Sequence, residues 1–340
     1  PRKSDGRLSP TDIYTPSFAR RINAYTLCRL NKLMNESPMV RSVSEFLDII
    51  IREHGQHPHS RTSDISAVTM YRGQANCRWR LEPRLYRDGL FAYEQALVEE
   101  FERISPEHFD KLNHFDRLVK MQHYGLPTRL LDTTTNPLVA LFFACFGKKQ
   151  LAEPGKVFLL PRLPVFRPSN AAIIVVAFYI FRFAGQRFSA KRLAEELERN
   201  GICVPEKSFK DTAEFALYYL SNIPFLAVLP HLWNDRIRVQ DGAFLLSGMR
   251  MRFSEPTNRD TAELDNLRNF SPYDFDRPLK EIWKPASTIL VEPKKKPEIL
   301  SELALLGVSP GRMFPELEHQ AEQVVKLVQD GGAINNIDEE

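Results

Sequence analysis

Met121-Gln-His-Tyr-Gly-Leu-Pro-Thr-Arg-Leu-Leu-Asp-Thr-Thr-Thr-Asn-Pro-Leu-Val-Ala-Leu-Phe-Phe-Ala144 is the stretch on which the fold turns. Gly125 and Pro127 punctuate it, and a short strand follows them. Asn136 can accept from the first free N–H groups of a helix, and Pro137 brings a preset φ and no N–H to leave unpaired. The spacing therefore predicts a helix over 137–146 that stops at Gly147. Leu138 to Ala144 is apolar on every side, which in so short a segment means a buried helix. Asp132, Thr133, Thr134 and Thr135 precede it, so a carboxylate, hydroxyls and free backbone N–H groups converge at one spot. Such a spot suits an anion or a ribose.

Working outward, 340 residues with 43% hydrophobic content leave room for one large or two modest domains, and 26% charged residues argue against a disordered chain. A net charge of +3 is too weak to indicate nucleic acid. The basic residues Arg2, Lys3, Arg7, Arg20, Arg21 and Arg29 mark 1–41 as a basic arm, with one helix around 18–34, that can dock a protein partner. The longest apolar run, Ala171 to Ile180, is too short to span a bilayer, and the first residues lack a secretory core, so a cytoplasmic protein is expected. Cys28, Cys77, Cys145 and Cys203 are scattered and read as reduced thiols. His54, His57 and His59 cluster, but no Cys or carboxylate half-site matches them, and a solvated loop is the better reading; no metal is expected.

Ser42-Val-Ser-Glu45 forms a capping box that opens the main domain, 42–330, and a helix ending at Gly55. Residues 65–71 read as a strand running into Arg72-Gly73-Gln74. Arg72 offers a planar fork of donors for phosphate or carboxylate, and Gly73 allows close approach of the backbone. The alternative is that Arg72 and Asp132 form a buried ion pair locking two strands. Helices are expected over 93–104, 112–122, 190–200, 211–221 and 298–306, and strands over 156–160, 171–180 and 288–291. Gln240 and Asp241 stand at the entry of a further strand. Residues 254–276 are a loop or lid, a last helix begins at Phe314 and runs to about 329, and 331–340 is an acidic tail. The irregular alternation of short strands with helices predicts an α+β fold with a small mixed or antiparallel sheet flanked by helices. No P-loop, G-x-G-x-x-G, G-x-S-x-G or H-E-x-x-H is present.

Tyr71-Arg72-Gly73-Gln74, with Trp79 and Leu81, together with Gln122 to Asp132, Thr134, Asn136-Pro137 and Ala140 to Ala144, resembles the FRG-domain family. The Arg236 to Phe244 stretch and the closing Phe314-Pro-Glu-Leu fit the same pattern, and the resemblance spans about 42–328. The chain has Thr133 where that family usually has Trp. A second resemblance is to ADP-ribosyltransferase-like folds: Tyr71-Arg72 resembles their first motif, and Thr133 to Ala144 their hydroxyl-rich second. The catalytic Glu of their third motif has no counterpart where Gln240 and Asp241 stand. These resemblances imply an ADP-ribosyltransferase-like fold and a nucleotide-like ligand, with NAD as substrate rather than a permanently bound cofactor. Cleavage or ADP-ribosyl transfer would suit a bacterial toxin or anti-phage effector; the alternative is a non-catalytic sensor or interaction module. The residues implied for catalysis are Arg72, Asp132, Thr134 and Gln240, and for ligand binding Tyr71, Gly73, Gln74, His123, Tyr124, Arg129 and Asn136, all around one pocket. Asp132, Asp241 or a Glu from the C-terminal Glu316/Glu318 segment would have to supply the carboxylate.

Overall fold

A computed structural model describes residues 37–55, 67–86, 90–147, 151–184, 188–202, 209–222, 225–247, 263–264 and 287–316. The chain runs through β1 (Met39–Val40), α1 (Val43–Gly55), β2 (Ala67–Gln74), α2 (Glu94–Ile104), α3 (His114–His123), β3 (Leu130–Thr134), α4 (Pro137–Cys145) and β4 (Gly155–Phe166). It continues through α5 (Ala171–Arg182), β5 (Phe188–Ser189), α6 (Ala190–Arg199), α7 (Thr212–Leu217), β6 (Phe225–Val228), α8 (Asp235–Val239) and β7 (Gly242–Ser247). The last elements are β8 (Glu263–Leu264), β9 (Ser287–Val291), α9 (Lys296–Leu305) and α10 (Pro310–Met313).

Local signals account for the helix starts. Asn113, Asn136, Asn170, Ser189, Asp211 and Asn234 each accept a first-turn backbone N–H with the side chain, opening α3 to α8 in turn. Before α1, Glu45 N donates to Ser42 Oγ at 3.2 Å, while Glu45 Oε2 accepts from Arg41 N at 2.8 Å.

Seven strands form one mixed sheet in the order β1-β9-β4-β2-β3-β7-β6. The fold is α+β, and the sheet is wider than the strand candidates suggested. Two pairings are parallel, β1 with β9 and β4 with β6; the others are antiparallel. Met39 and Val40, assigned above to the arm, thus belong to the sheet. The far end of the long β4 reaches β6 through Val165 and Phe166, so β4, β2, β3, β7 and β6 close on themselves. Alternate residues fill that closure: Met70, Leu131, Phe158, Leu160, Phe225, Ala227, Ala243 and Leu245 are all buried in one cluster.

Two helical layers cover the outside. One core gathers α2, α3 and α5 against Leu130, Leu226, Phe244 and Leu246; the other packs α1, α4 and α9 against Tyr71, Val157, Leu159, Ile289 and Val291. The expected strand at 171–180 is instead the centre of α5, a helix buried from Ala172 to Phe181 except Ile174. When every side of a segment is buried, the apolar pattern loses its period, and only the Asn170 cap betrays the helix. α4 sits directly on the sheet at two glycines: a Cβ on Gly73 would lie 1.8 Å from the Ala140 carbonyl oxygen, and one on Gly155 2.1 Å from that of Ala144. No helix among the described residues is long and apolar enough to cross a membrane. The basic arm before Ser37, the helix expected at 18–34, Cys28, Cys203, His57, His59, the 254–276 loop apart from β8, the last helix beyond Glu316 and the acidic tail lie outside the described residues.

Candidate functional site

β2 and β3 share one bridge, Tyr71 with Thr134, although β2 is paired to β4 from Ala67 to Gln74 and β3 to β7 along its whole length. The strands therefore diverge beyond Tyr71, because Gly73 draws β2 onto the α4 backbone. Arg72 fills the wedge. Its Nη1 donates to the Asp132 carbonyl oxygen, which no ladder partner occupies, and lies 3.8 Å from Asp132 Oδ2. A cleft of about 240 Å³ opens there, bounded by the wedge, the end of α3, the start of α4, and α8.

Tyr71, Arg72, Gly73, His123, Asp132, Thr134 and Gln240 all border this cleft. Asp132 is not part of a buried lock: its side chain is 65% exposed, and Gln122 Nε2 donates to its Oδ1 at 2.6 Å. An ion pair so open to water contributes little to stability. Thr134 and Gln240 reach the wall with their polar groups already engaged. Thr134 Oγ1 donates to the Gln240 carbonyl at 2.7 Å and accepts from Asn136 N at 3.0 Å, while Gln240 Nε2 donates to the Met313 carbonyl at 2.8 Å.

The remaining expected residues fall elsewhere. Asn136 caps α4 through Leu138 N and donates from Nδ2 to Asp241 Oδ2 at 3.0 Å, so Asp241 serves that turn, with φ at 45°. Gln74 is buried, donating to the Arg80 carbonyl at 3.1 Å, and Tyr124 points its ring to solvent at the end of α3. Arg129 is wholly buried away from the cleft. It makes a two-pronged ion pair with buried Glu94 and lies between the rings of Phe91 and Tyr179. Burial opposes its charge, but the Glu94 carboxylate outweighs that and holds the guanidinium even more firmly protonated than usual. An Arg next to a turn reads as a ligand clamp in sequence; its carboxylate partner comes from α2, which local spacing does not reveal.

The residues 67–153 match the family model of the FRG domain. The chain carries an FRG domain. No curated protein and no solved structure matches the chain. The matched span of the FRG domain supplies β2, α2, α3, β3 and α4, and with them Arg72, Gln122, His123 and Asp132. The cleft is completed from outside that span.

Arg236 of α8 borders the cleft, and Glu316 follows α10. Glu316 Oε1 lies 3.7 Å from Arg236 Nη1 and 4.0 Å from His123 Nε2. Both Glu316 oxygens are buried, and neither has a hydrogen-bond donor among the described residues. A buried carboxylate without donors is costly, and it is the kind of group that a ligand hydroxyl or N–H satisfies. Phe314 fixes the approach: its ring packs on Phe142, Phe143 and Phe146 of the α4 segment, and the Arg236 guanidinium lies over it at 5.1 Å. The sequence reading left Arg236 out of the site and gave the Glu316/Glu318 segment as one of three sources of a carboxylate. The Phe-Pro-Glu run of 314–316 was the available signal.

Titration narrows the chemistry. Burial, then Arg236, pushes the His123 imidazole below its usual value, with Glu316 pulling the other way, so it is neutral at pH 7. Burial raises the Tyr71 phenol and the Cys145 thiol each to about 12. Neither is an available base or nucleophile at neutral pH. In place of the family's usual Trp, Thr133 turns inward and its hydroxyl donates to Met70 Sδ at 3.5 Å.

Proposed function

We propose that this cleft binds NAD or a related nucleotide and cleaves the nicotinamide–ribose bond, with Glu316 as the carboxylate that faces the developing ribosyl cation. The observation that carries this reading is the carboxylate of Glu316, both oxygens buried and without a hydrogen-bond donor among the described residues, beside His123 and Arg236, which border the same cleft as Arg72. Oε1 is turned to Arg236 and His123, and neither oxygen has a hydrogen-bond donor among the described residues, which leaves the carboxylate for the ribose 2′-OH. A carboxylate at that place stabilises an oxocarbenium-like transition state, an interaction stronger in the transition state than in the ground state. Arg72 and Arg236 supply the charge to hold a pyrophosphate. Thr134 and Gln240 act as wall and tether, since their polar groups already serve the fold. About 240 Å³ is below the roughly 300–1,000 Å³ of pockets that enclose drug-sized ligands, so the reactive nicotinamide riboside end would enter while the rest lies along the mouth.

On this reading the arrangement is ADP-ribosyltransferase-like, with the carboxylate coming from the segment after α10 in place of the Gln240–Asp241 strand entry. Depletion of cytoplasmic NAD or modification of a protein would suit a bacterial toxin or phage-defence effector, and the basic arm at 1–41 would bring a protein partner.

The test is incubation of the purified chain with NAD while nicotinamide release is followed. Wild type should release nicotinamide, and Glu316→Gln should lose about a hundredfold or more of that rate while still binding ADP-ribose. Saturable binding with no release under any condition would replace the enzyme by a sensor, and an undiminished Glu316→Gln rate would remove Glu316 from the chemistry.

A further inference from the structure

Cleavage of the nicotinamide–ribose bond leaves a second task, because the water or hydroxyl that captures the ribosyl carbon must lose a proton. The cleft has one group placed for it and in the neutral form that a base requires. His123 ends α3 with its side chain 16% exposed, and its Nε2 faces Glu316 Oε1 at 4.0 Å. The neighbouring Tyr124 ring packs edge-on against the imidazole, with ring centres 5.1 Å apart. Arg236, from α8, approaches the same Glu316 oxygen.

We propose that His123 is the general base for the acceptor in this site, taking the proton of an attacking water or hydroxyl on Nε2 while Glu316 Oε1 stabilises the imidazolium formed. This rests on the reading of the cleft as an NAD-cleaving site. The C1′–N bond breaks with its electron pair leaving on nicotinamide, which was cationic and departs neutral. The new C1′–O bond uses an oxygen lone pair, the oxygen's proton passes to Nε2, and from there to solvent. Water as acceptor therefore gives ADP-ribose, nicotinamide and one proton.

Other cleft groups fit the task less well. Asp132 is largely solvated, already accepts from Gln122 and faces Arg72, so its carboxylate is engaged elsewhere. The Tyr71 phenol stays protonated. The imidazole is neutral at pH 7, which is the form a base requires. The 4.0 Å separation is longer than a hydrogen bond, so Glu316 does not occupy Nε2 and that nitrogen remains open to the acceptor.

The experiment compares wild type, His123→Ala and His123→Gln for NAD turnover, with and without sodium azide. Azide attacks carbon without losing a proton, so it needs no base. Both variants should lose about a hundredfold in kcat with KM for NAD little changed, and azide should restore turnover with formation of an azido-ADP-ribose. His123→Gln preserves the bulk of the ring, so it carries the test if His123→Ala fails to fold. Wild-type turnover in either folded variant, or a loss that azide does not relieve, overturns the base while leaving the NAD reading intact. No release by wild type overturns both.

Discussion

Glu316 meets Arg236, a residue of the cleft wall, at 3.7 Å although the two come from separate elements, and the Phe314 ring lies under the same guanidinium at 5.1 Å. Phe314 thus acts as the hinge pin of the carboxylate. Its three partner rings belong to the segment that caps the wedge between β2 and β3, so the aromatic cluster ties the position of Glu316 to that of Arg72.

Phe314→Ala should therefore cost about 1–3 kcal/mol of stability, since the ring is only partly buried, and should lower NAD turnover more than NAD affinity. Thermal melts alongside nicotinamide release check this. A destabilised variant with full kcat would show that Glu316 is held by other means.

The Arg129–Glu94 pair is structural. Glu94→Gln leaves a buried guanidinium without its countercharge and should destabilise by roughly 3–5 kcal/mol. Arg129→Met with Glu94→Leu should recover much of that loss, because an apolar pair removes both charges from the interior. Urea midpoints of the single and double variants decide it, and ligand binding should be unchanged in the double variant.

Gly73→Ala should be among the most damaging single-methyl additions, because the new Cβ meets backbone, the Ala140 carbonyl at 1.8 Å, which cannot swing aside as a side chain can. The expected loss is about 2 kcal/mol or more together with a distorted wedge. A variant with native melting temperature and native ligand binding would contradict the close approach of β2 and α4.

His114 gives the protein an acid-sensitive stability. Its ring packs against Phe178 and Phe181, and burial, then Arg117 and Arg182, lowers its pKa from 6.5 to about 4. On acidification the unfolded chain takes this proton first. The contribution is fully present above pH 6.5 and is lost progressively as pH falls to about 4, by on the order of 3 kcal/mol. His114→Phe should flatten that part of the stability curve between pH 7 and pH 4.5, measured by urea unfolding; an unchanged slope would assign the pH dependence to other groups.

The amino-acid sequence by itself determined the α4 helix and its strand, the capping box at Ser42, the amphipathic helices α1, α2, α3 and α6 and the α+β class. Those features depend on neighbours in sequence: an Asn side chain beside free N–H groups, a Pro where no donor is needed, a Gly where a helix ends. The FRG motifs likewise marked Arg72, His123 and Asp132, which lie within or at the end of locally encoded elements and border one cleft.

The tertiary structure decided the rest. A run buried on all sides has no period to separate helix from strand, so α5 took its form from its cap and its surroundings. Arg129 is equally a clamp or a core ion pair until α2 brings Glu94 to it. Gln240 and Asp241, expected near the chemistry, became tethers when α10 and α4 supplied their partners. The carboxylate beside His123 and Arg236 came from Glu316, whose approach the aromatic seat of Phe314 on Phe142, Phe143 and Phe146 fixes. Pairings across such separations depend on burial and packing of whole elements, which residue spacing alone does not record.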